Sequence, residues 1–491
     1  MLASDDGVAR VREALTEAPG HRSRLSSTYY DTPEWDLRTA SLSLRIRCSG
    51  SRFIQTVKTV AAGAIERGEW EHTVPSDRID PDSLCVTPAW VVLDGRVDEL
   101  AAIFSTSVDR ESHLIEQNGA RIEASLDLGE TIAGDRRERI RELELELKDG
   151  PPAELFALAR RLAVVAPIFL ASDSKAEHGY RLCEGISDDP RTSQVPDLTG
   201  ATEAAEAFRR IARECLAQIT SNAGLLRRTR QPEALHQLRV GVRRLRTAIR
   251  IFGEMLEGKE HRWIDGELEW LAGKLDAARD LDVLLHDTFE PAANALGADL
   301  APLGRCLLAA SARAYRSAIT SVGSVRYRRL ALETAAWIEA GSWVVDDRCE
   351  IVALRTEAIE TLSREVLEHL RHDVRKRGRD LSRLEPKQRH QLRIRTKRLR
   401  YASEFFGPLH GHKHRRAEFL TGLKQLQDLL GELNDIAVSR DRLLDDPELQ
   451  EARISFAAGR IVGWRERKQP QLLKSARHSY EAWSSITPFW I

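Results

Sequence analysis

Between residues 25 and 148, apolar and polar side chains alternate in short runs. SLSLRIR (41–47), FIQTVKT (53–59), the run around RGEWEHTV (67–74), RIEASLDL (121–128) and RELELELK (141–148) each place unlike side chains on opposite faces. That two-residue period is the signature of a β-strand. From about residue 203 onward the period becomes helical almost throughout. The stretch between, CEGISDDPRTSQVPDLTGATE (183–203), is rich in Asp, Ser, Thr, Pro and Gly and poor in large apolar residues, the composition of a linker. A chain of 491 residues is too long for one core. The expected architecture is an α+β multidomain protein: a strand-rich part over 1–185, a linker over 186–202 and an all-α part over 203–485. A weaker break, PAANALGADLAP (291–302), falls inside the helical part.

The strand faces carry charge. Arg45 and Arg47 share one face opposite Leu42, Leu44 and Ile46, and Glu142, Glu144, Glu146 and Lys148 oppose Leu143, Leu145 and Leu147. Arg121, Glu123 and Asp127 also lie together. An open sheet turns such faces to water, whereas a closed barrel packed on its outside by helices turns them into a charged tunnel. In a tunnel, Arg45, Arg47, Lys58, Arg121 and Lys175 are placed to grip a chain of phosphates. Glutamates at alternate positions suit Mg²⁺ or Mn²⁺, which prefer carboxylate and water oxygens.

The helical part repeats itself. HQLRVGVRRLRTAIRIF (236–252) and HQLRIRTKRLRYASEFF (390–406) agree at nine of seventeen positions without a gap. Each is followed by a second related segment, AARDLDVLL (277–285) and LGELNDIAV (430–438), which implies a duplicated helical bundle. At about 100° per residue, His236, Arg239, Arg243, Arg246 and Arg250 fall in one stripe. Leu238, Val242, Leu245, Ile249 and Phe252 form a second stripe, expected to face the core. In the other copy the basic stripe is His390, Arg393, Lys397 and Arg400, and Glu404 stands where the first copy has Arg250. No carboxylate close in sequence neutralises these stripes, so a polyanionic ligand is the natural counter-charge.

Bulk composition sharpens this. The net charge of -1 hides an asymmetry: residues 1–190 hold 23 Lys+Arg against 34 Asp+Glu, and the remainder holds 51 against 41. The basic half is thus the half with the duplicated stripe. Nucleic acid is disfavoured as the polyanion, because no aromatic interleaving or zinc-finger motif accompanies the basic residues. No run of eighteen apolar residues occurs, so no membrane span is expected. The first twenty residues show no secretion signal, and the six scattered cysteines, with no CxxC pair, fit a reducing cytosol.

The paired H-x-x-R-x-x-x-[RK]-R-L-R helices, with RDLDV and LNDIAV behind them, resemble the CHAD family, the conserved-histidine α-helical domain, over roughly residues 203–485. The resemblance implies two pseudo-symmetric helical bundles around a basic groove that binds inorganic polyphosphate through His236, Arg239, Arg243, Arg246, His390, Arg393, Lys397 and Arg400. The ordered segments TYYDTPEWDLR (28–38), LSLRIR (42–47), QTVKT (55–59), RGEWE (67–71), ELELEL (142–147) and SKAEHGYRL (174–182) resemble the CYTH family, the triphosphate tunnel metalloenzymes. Within it they look most like the bacterial inorganic triphosphatases that carry a CHAD domain behind the CYTH domain.

That second resemblance implies an antiparallel β-barrel tunnel with flanking helices and hydrolysis of inorganic triphosphate with Mg²⁺ or Mn²⁺. It puts Lys58, Arg45 and Arg47 at the catalytic centre, Arg121 and Lys175 on the substrate, and Glu142, Glu144 and Glu146 on the metal. Glu69 and Glu71, facing the same side as Arg67, are placed to tune the tunnel. A cytoplasmic location associated with polyphosphate granules follows from the pairing of domains. One departure stands out. The family opens with an acidic E-x-E-x-K strand, and this chain shows no such segment; its first twenty residues read as the following helix. The expectation is a start assigned too far downstream; the alternative is a barrel short of its first strand. The alternative function is accordingly a catalytically inactive polyphosphate-binding protein, and an adenylate cyclase ranks lower because no base-recognition element is present.

Overall fold

The computed structural model describes all residues except 3, 60–67, 172, 186–188, 298–299 and 446–451, so Arg67 and the first residues of the expected linker lie outside the described residues. The chain forms two compact units. The first comprises Met1–Arg191 with Leu216–Thr229 and Gly323–Gly341; the second comprises Thr192–Cys215, Arg230–Val322 and Ser342–Ile491.

The first unit is built on seven strands: β1 (Gly20–Asp31), β2 (Leu42–Ser49), β3 (Arg52–Thr59), β4 (Glu69–Val74), β5 (Ala101–Gln117), β6 (Ala120–Ala133) and β7 (Arg136–Asp149). They pair antiparallel in the order β4-β3-β2-β1-β5-β6-β7. Asn118 and Gly119, both at positive φ, make the tight β5–β6 hairpin that this twist favours. Among the described residues no ladder joins β4 to β7, so hydrogen bonding does not close the sheet into a barrel. At the β7 edge, the Leu2 amide donates to the Arg141 carbonyl at 3.0 Å.

The apolar faces of the strands are covered by helices. Over β6 and β7, helices α1 (Asp5–Leu15) and α5 (Pro152–Val165) bury Val11, Leu15, Leu158 and Leu162 against Ile122, Ala124 and Leu126. Over β2 and β3, the short helices α2 (Asp36–Thr39), α3 (Pro81–Leu84) and α4 (Pro88–Leu93) bury Leu37, Leu84 and Leu93 against Leu42, Leu44 and Val57. The charged faces therefore all point to the other side of the sheet. There, helix α6 (Lys175–Glu184) packs Ala176, Tyr180 and Leu182 on Tyr29, Phe104 and Ala133. A capping box at Ser174 and Glu177 fixes where α6 begins and so where Lys175 starts out.

The second unit is helical. The basic segments are single helices, Pro232–Ile251 and Pro386–Phe406, each opened by a proline in its first turn. The expected core stripe is buried: Leu238, Val242, Leu245, Ile249 and Phe252 in one copy, Leu392, Leu399 and Phe406 in the other. Equivalent residues of the two copies meet, since the Phe252 and Phe406 rings lie edge to face with centroids 6.2 Å apart. The Arg244 guanidinium ties the copies together: it pairs with Glu404 at 3.0 Å, donates to the Gln194 carbonyl and stacks over Phe405.

The seat of α6 is sterically specified. A Cβ on Gly179 would come 2.0 Å from Phe104 Cε2, and Phe104 is locked between Tyr29, stacked at 4.4 Å, and Tyr180. Gly179→Ala should therefore lift α6 off the sheet and cost about 1–3 kcal/mol, read as a lower urea midpoint; an unchanged midpoint would contradict this packing.

Candidate functional site

The polar face of the sheet divides into a cationic and an acidic side. On β2 and β3, register sets Arg45 beside Thr56 and Arg47 beside Ile54. Lys58 is opposite Ser43 on one side and Glu69 of β4 on the other. Arg45 is only 9% exposed, yet its Nε and Nη2 have no hydrogen-bond partner, and Nη1 makes only a 3.4 Å contact to the Tyr29 hydroxyl. The Arg47 Nε is likewise buried and unpaired. Burial, then the Arg45 charge and that of Arg110, lower the pKa of Arg47. Burial and then Arg45 lower that of Lys58, although its Nζ pairs with Glu69 at 2.6 Å. Glu71 accepts from the Thr56 hydroxyl at 3.2 Å. These cations sit close together with too little negative charge around them, which is the arrangement that receives an anion.

The acidic side is a ladder row. Arg110 on β5 is opposite Asp127 on β6, which is opposite Glu142 on β7; Glu144 is opposite Ser125. Carboxylate oxygens of Asp127, Glu142 and Glu144 lie within 4.8 Å of one another, a group able to hold a metal ion. Lys175 reaches into this group from the first turn of α6, with Nζ 2.8 Å from Asp127, 2.8 Å from Glu142 and 2.5 Å from Glu144. Arg110 spans Asp127 (2.7 and 2.6 Å) and Glu144 (2.6 Å). Crowding by its neighbours would raise the pKa of Glu144, whose side chain still keeps about half its exposure, but Lys175 and Arg110 outweigh it and hold that carboxyl below its ordinary range. For Lys175 burial works downward, and the attraction of Glu144, Glu142 and Asp127 carries its pKa up.

Three expected site residues are thus brought together here, Glu142, Glu144 and Lys175, although Lys175, expected on the substrate, pairs with the carboxylates expected on the metal. Two are placed elsewhere. Glu146 is exposed, opposite Glu123, and pairs with Lys148 at 2.8 Å. Arg121 is exposed at the start of β6, and six residues of strand put it about 20 Å from Asp127. Asp127 and Arg110 are members that sequence reading did not assign. Asp127 was visible as a face-mate of Arg121 and Glu123, but β5 shows no clean apolar alternation to betray Arg110.

In the second unit, Arg239 and Arg243 of the first basic stripe face Arg393 and Lys397 of the second at a seam between the copies. Arg239 pairs with Asp276 at 2.5 Å, while its Nη1 stays buried without a hydrogen bond, 3.8 Å from Asp280. Burial and then Arg243 lower the pKa of Arg239 to about 10. Arg393 is lowered by burial and by Arg243 against the pull of Asp435, and its Nε is buried and unpaired. Lys397 falls to about 6 through burial, then Arg393 and Arg243. His236 falls to about 4 through burial, with Arg279, Arg243 and Arg239 adding to it. His390 is exposed and meets the Asn434 amide oxygen at 2.6 Å.

The stripes do not stay whole. Arg246 turns to Asp265 at 2.7 Å and Glu269 at 3.2 Å, and Arg400 to Glu404 and Gln427, both at 2.8 Å. Asp265 and Glu269 come from helix Lys259–Val283 and Gln427 from helix Lys413–Asp445, the two helices that carry the second repeated segments, whereas Glu404 belongs to the basic helix itself. Asp280 and Asp435 lie in those segments and Asp276 one residue before the first; pattern reading left all three without a role.

A sheet domain with opposed charge on one face, joined to a duplicated helical domain with a cationic seam, defines a two-module class. The chain carries a CYTH domain, matched over residues 3–180, and a CHAD domain, matched over residues 210–444. It is similar to the crystal structure of the CHAD domain from the plant Ricinus communis, at 30% identity and a TM-score of 0.52, over 60% of this chain and 96% of that one. Over 161 residues it is 32% identical to an inorganic triphosphatase of Haemophilus influenzae, covering 32% of this chain and 46% of that relative's length. An uncharacterized protein of Mycobacterium tuberculosis is 26% identical over 97% of this chain and 91% of its own. Among the described residues no helix is long and apolar enough to cross a membrane.

The Lys175 cluster predicts a pH window. Pairing raises the Lys175 pKa above 10.5 and depresses that of Glu144 below 4.5. The lysine's contribution is full below 10.5 and fades as pH rises past its folded value; the carboxylate's is full above 4.5 and fades as pH falls toward its folded value. Lys175→Met should cost on the order of 3 kcal/mol at neutral pH, where Asp127 is left with Arg110 alone. Denaturation curves should converge with wild type as the carboxylates protonate in acid, and a deficit that persists there would contradict this pairing.

Proposed function

We propose that the first unit hydrolyses inorganic triphosphate and that the second holds inorganic polyphosphate. The observation that carries the reading is Arg45, a buried guanidinium with two nitrogens unpaired, beside Arg47 and Lys58. A planar cation in that state gains most from phosphate oxygens, which fit its fork. In this reading Arg45, Arg47 and Lys58 grip consecutive phosphoryl groups. Asp127, Glu142 and Glu144 are the groups that would hold Mg²⁺ or Mn²⁺. Such an ion supplies polarisation of a phosphoryl oxygen and a positioned water. The similarity to an inorganic triphosphatase supports the substrate class. The seam of Arg239, Arg243, Arg393 and Lys397 supports polyphosphate as the partner of the second unit.

A second reading, a polyphosphate-binding protein without turnover, is favoured by one feature: Lys175 and Arg110 already neutralise the carboxylates that a metal would need. Phosphate release from tripolyphosphate, ATP and long polyphosphate, with Mg²⁺, with Mn²⁺ and with chelator, separates the two. The first reading expects tripolyphosphate to be the preferred substrate, release to stop with chelator, and Arg45→Ala or Lys58→Ala to lower kcat by about 100-fold or more. Absence of release under every metal condition, with retention on polyphosphate, would establish the second.

A further inference from the structure

The two copies of the basic helix differ at one position in the seam. The first copy has Arg243 where the second has Lys397. Arg239 and Arg393, also equivalent, are both arginine. A guanidinium does not give up its proton in the physiological range, whereas a half-buried ammonium does. Lys397 is therefore the titratable member of this quartet. Among the described residues no carboxylate lies within 4 Å of it; Asp435 is the negative charge that favours its ammonium, against Arg393, Arg243 and Arg239.

Charged groups face the seam from each element that packs there. The first basic helix contributes Glu233, His236, Arg239 and Arg243; helix Lys259–Val283 contributes Asp276, Arg279 and Asp280. The second basic helix contributes His390, Arg393 and Lys397; helix Lys413–Asp445 contributes Asp435 and Arg442, with Asn434 on His390. All three aspartates already face arginines, so the lysine gains little from them.

We propose that the seam is a proton-coupled polyphosphate clamp: Lys397 is largely neutral while the seam is empty and takes up a proton as the phosphates enter, so affinity falls as pH rises through neutrality. This rests on the reading of the second unit as a polyphosphate binder. The empty seam holds the Lys397 pKa at about 6 through burial and the neighbouring arginines. Phosphate charge works in the opposite direction. Between the two values, binding is linked to proton uptake, and each pH unit lowers the association constant by up to about tenfold. His236, held at about 4, contributes a second uptake at the acid end of the range.

The test is calorimetric titration of the full chain with inorganic polyphosphate of defined length. It is run from pH 6 to 8.5 at fixed ionic strength, in buffers of differing ionisation enthalpy. Wild type should take up a fraction of a proton approaching one, with affinity falling as pH rises. Lys397→Arg should abolish most of that uptake, flatten the profile and bind more tightly than wild type above pH 7. Lys397→Met should be flat as well, but as weak as wild type at the alkaline end. His236→Gln should leave the uptake above pH 7 in place. Polyphosphate's own terminal groups titrate equally against every variant, so the difference between variants isolates the lysine. Binding with the same proton uptake in wild type and Lys397→Arg would overturn this inference alone. Absence of binding at every pH would overturn the polyphosphate reading together with it.

Discussion

Cations held near one another with too little counter-charge are costly for a chain to build, and both units are organised around doing it. Two unit charges about 4 Å apart at an effective dielectric of about 20 repel by about 4 kcal/mol. A flexible surface would simply let such side chains swing apart. Here the backbone denies them that freedom. Arg45 and Arg47 project from a strand paired on both sides, with Leu42, Leu44 and Ile46 anchored in the opposite core. Arg239 and Arg393 project from helices whose other stripe is buried. In each case the apolar half of an amphipathic element pays for the placement of the charged half.

On the sheet the two signs are kept apart by strand order. The cations belong to β2 and β3, the carboxylates to β6 and β7, and β1 and β5 lie between. Arg110 on β5 is the link: it pairs with Asp127 and Glu144 on one side, and its charge depresses Arg47 on the other. An anion settling on Arg45 and Arg47 would therefore compete with the carboxylates for the attention of Arg110. Lys175 stands in the same position relative to any divalent ion, because its ammonium already occupies the focus of the three carboxylates. Cation exchange at that focus, and not the creation of a new site, is what metal binding asks of this unit.

Periodicity made much of this legible in the sequence. Alternation located β2, β3, β6 and β7, and the helical period located both basic helices and their buried stripes. What it could not supply was register. Glu142, Glu144 and Glu146 are equivalent by alternation, yet only pairing with β6 sets Glu142 against Asp127 and Glu146 against Glu123 beside Lys148. Arg121 stands apart from Asp127 for the same reason, since sharing a face says nothing of distance along the strand. On the helices, angular position grouped Arg246 and Arg400 with the seam. Their destination was decided by Asp265, Glu269, Gln427 and Glu404, three of which belong to helices that a wheel does not contain. Long-range partners, not local pattern, split each stripe into a seam and a set of anchors.

Duplication explains how so dense a seam arises, and divergence between the copies explains how it is held. Equivalent phenylalanines, Phe252 and Phe406, touch across the pseudo-symmetry, which brings both stripes to one place and doubles the charge there. A perfect repeat would extend the repulsion along the whole pair of helices. Two substitutions prevent that. Where the first copy has Arg250, the second has Glu404, whose carboxylate takes Arg244 of the first copy at 3.0 Å and Arg400 of its own at 2.8 Å. A cation has been replaced by the anchor that binds the two copies together. Where the first copy has Arg243, the second has Lys397, exchanging a fixed charge for one that burial is able to switch off. The first change removes repulsion permanently, at a place where the copies must adhere; the second, in the clamp proposed above, removes it only until a polyanion arrives.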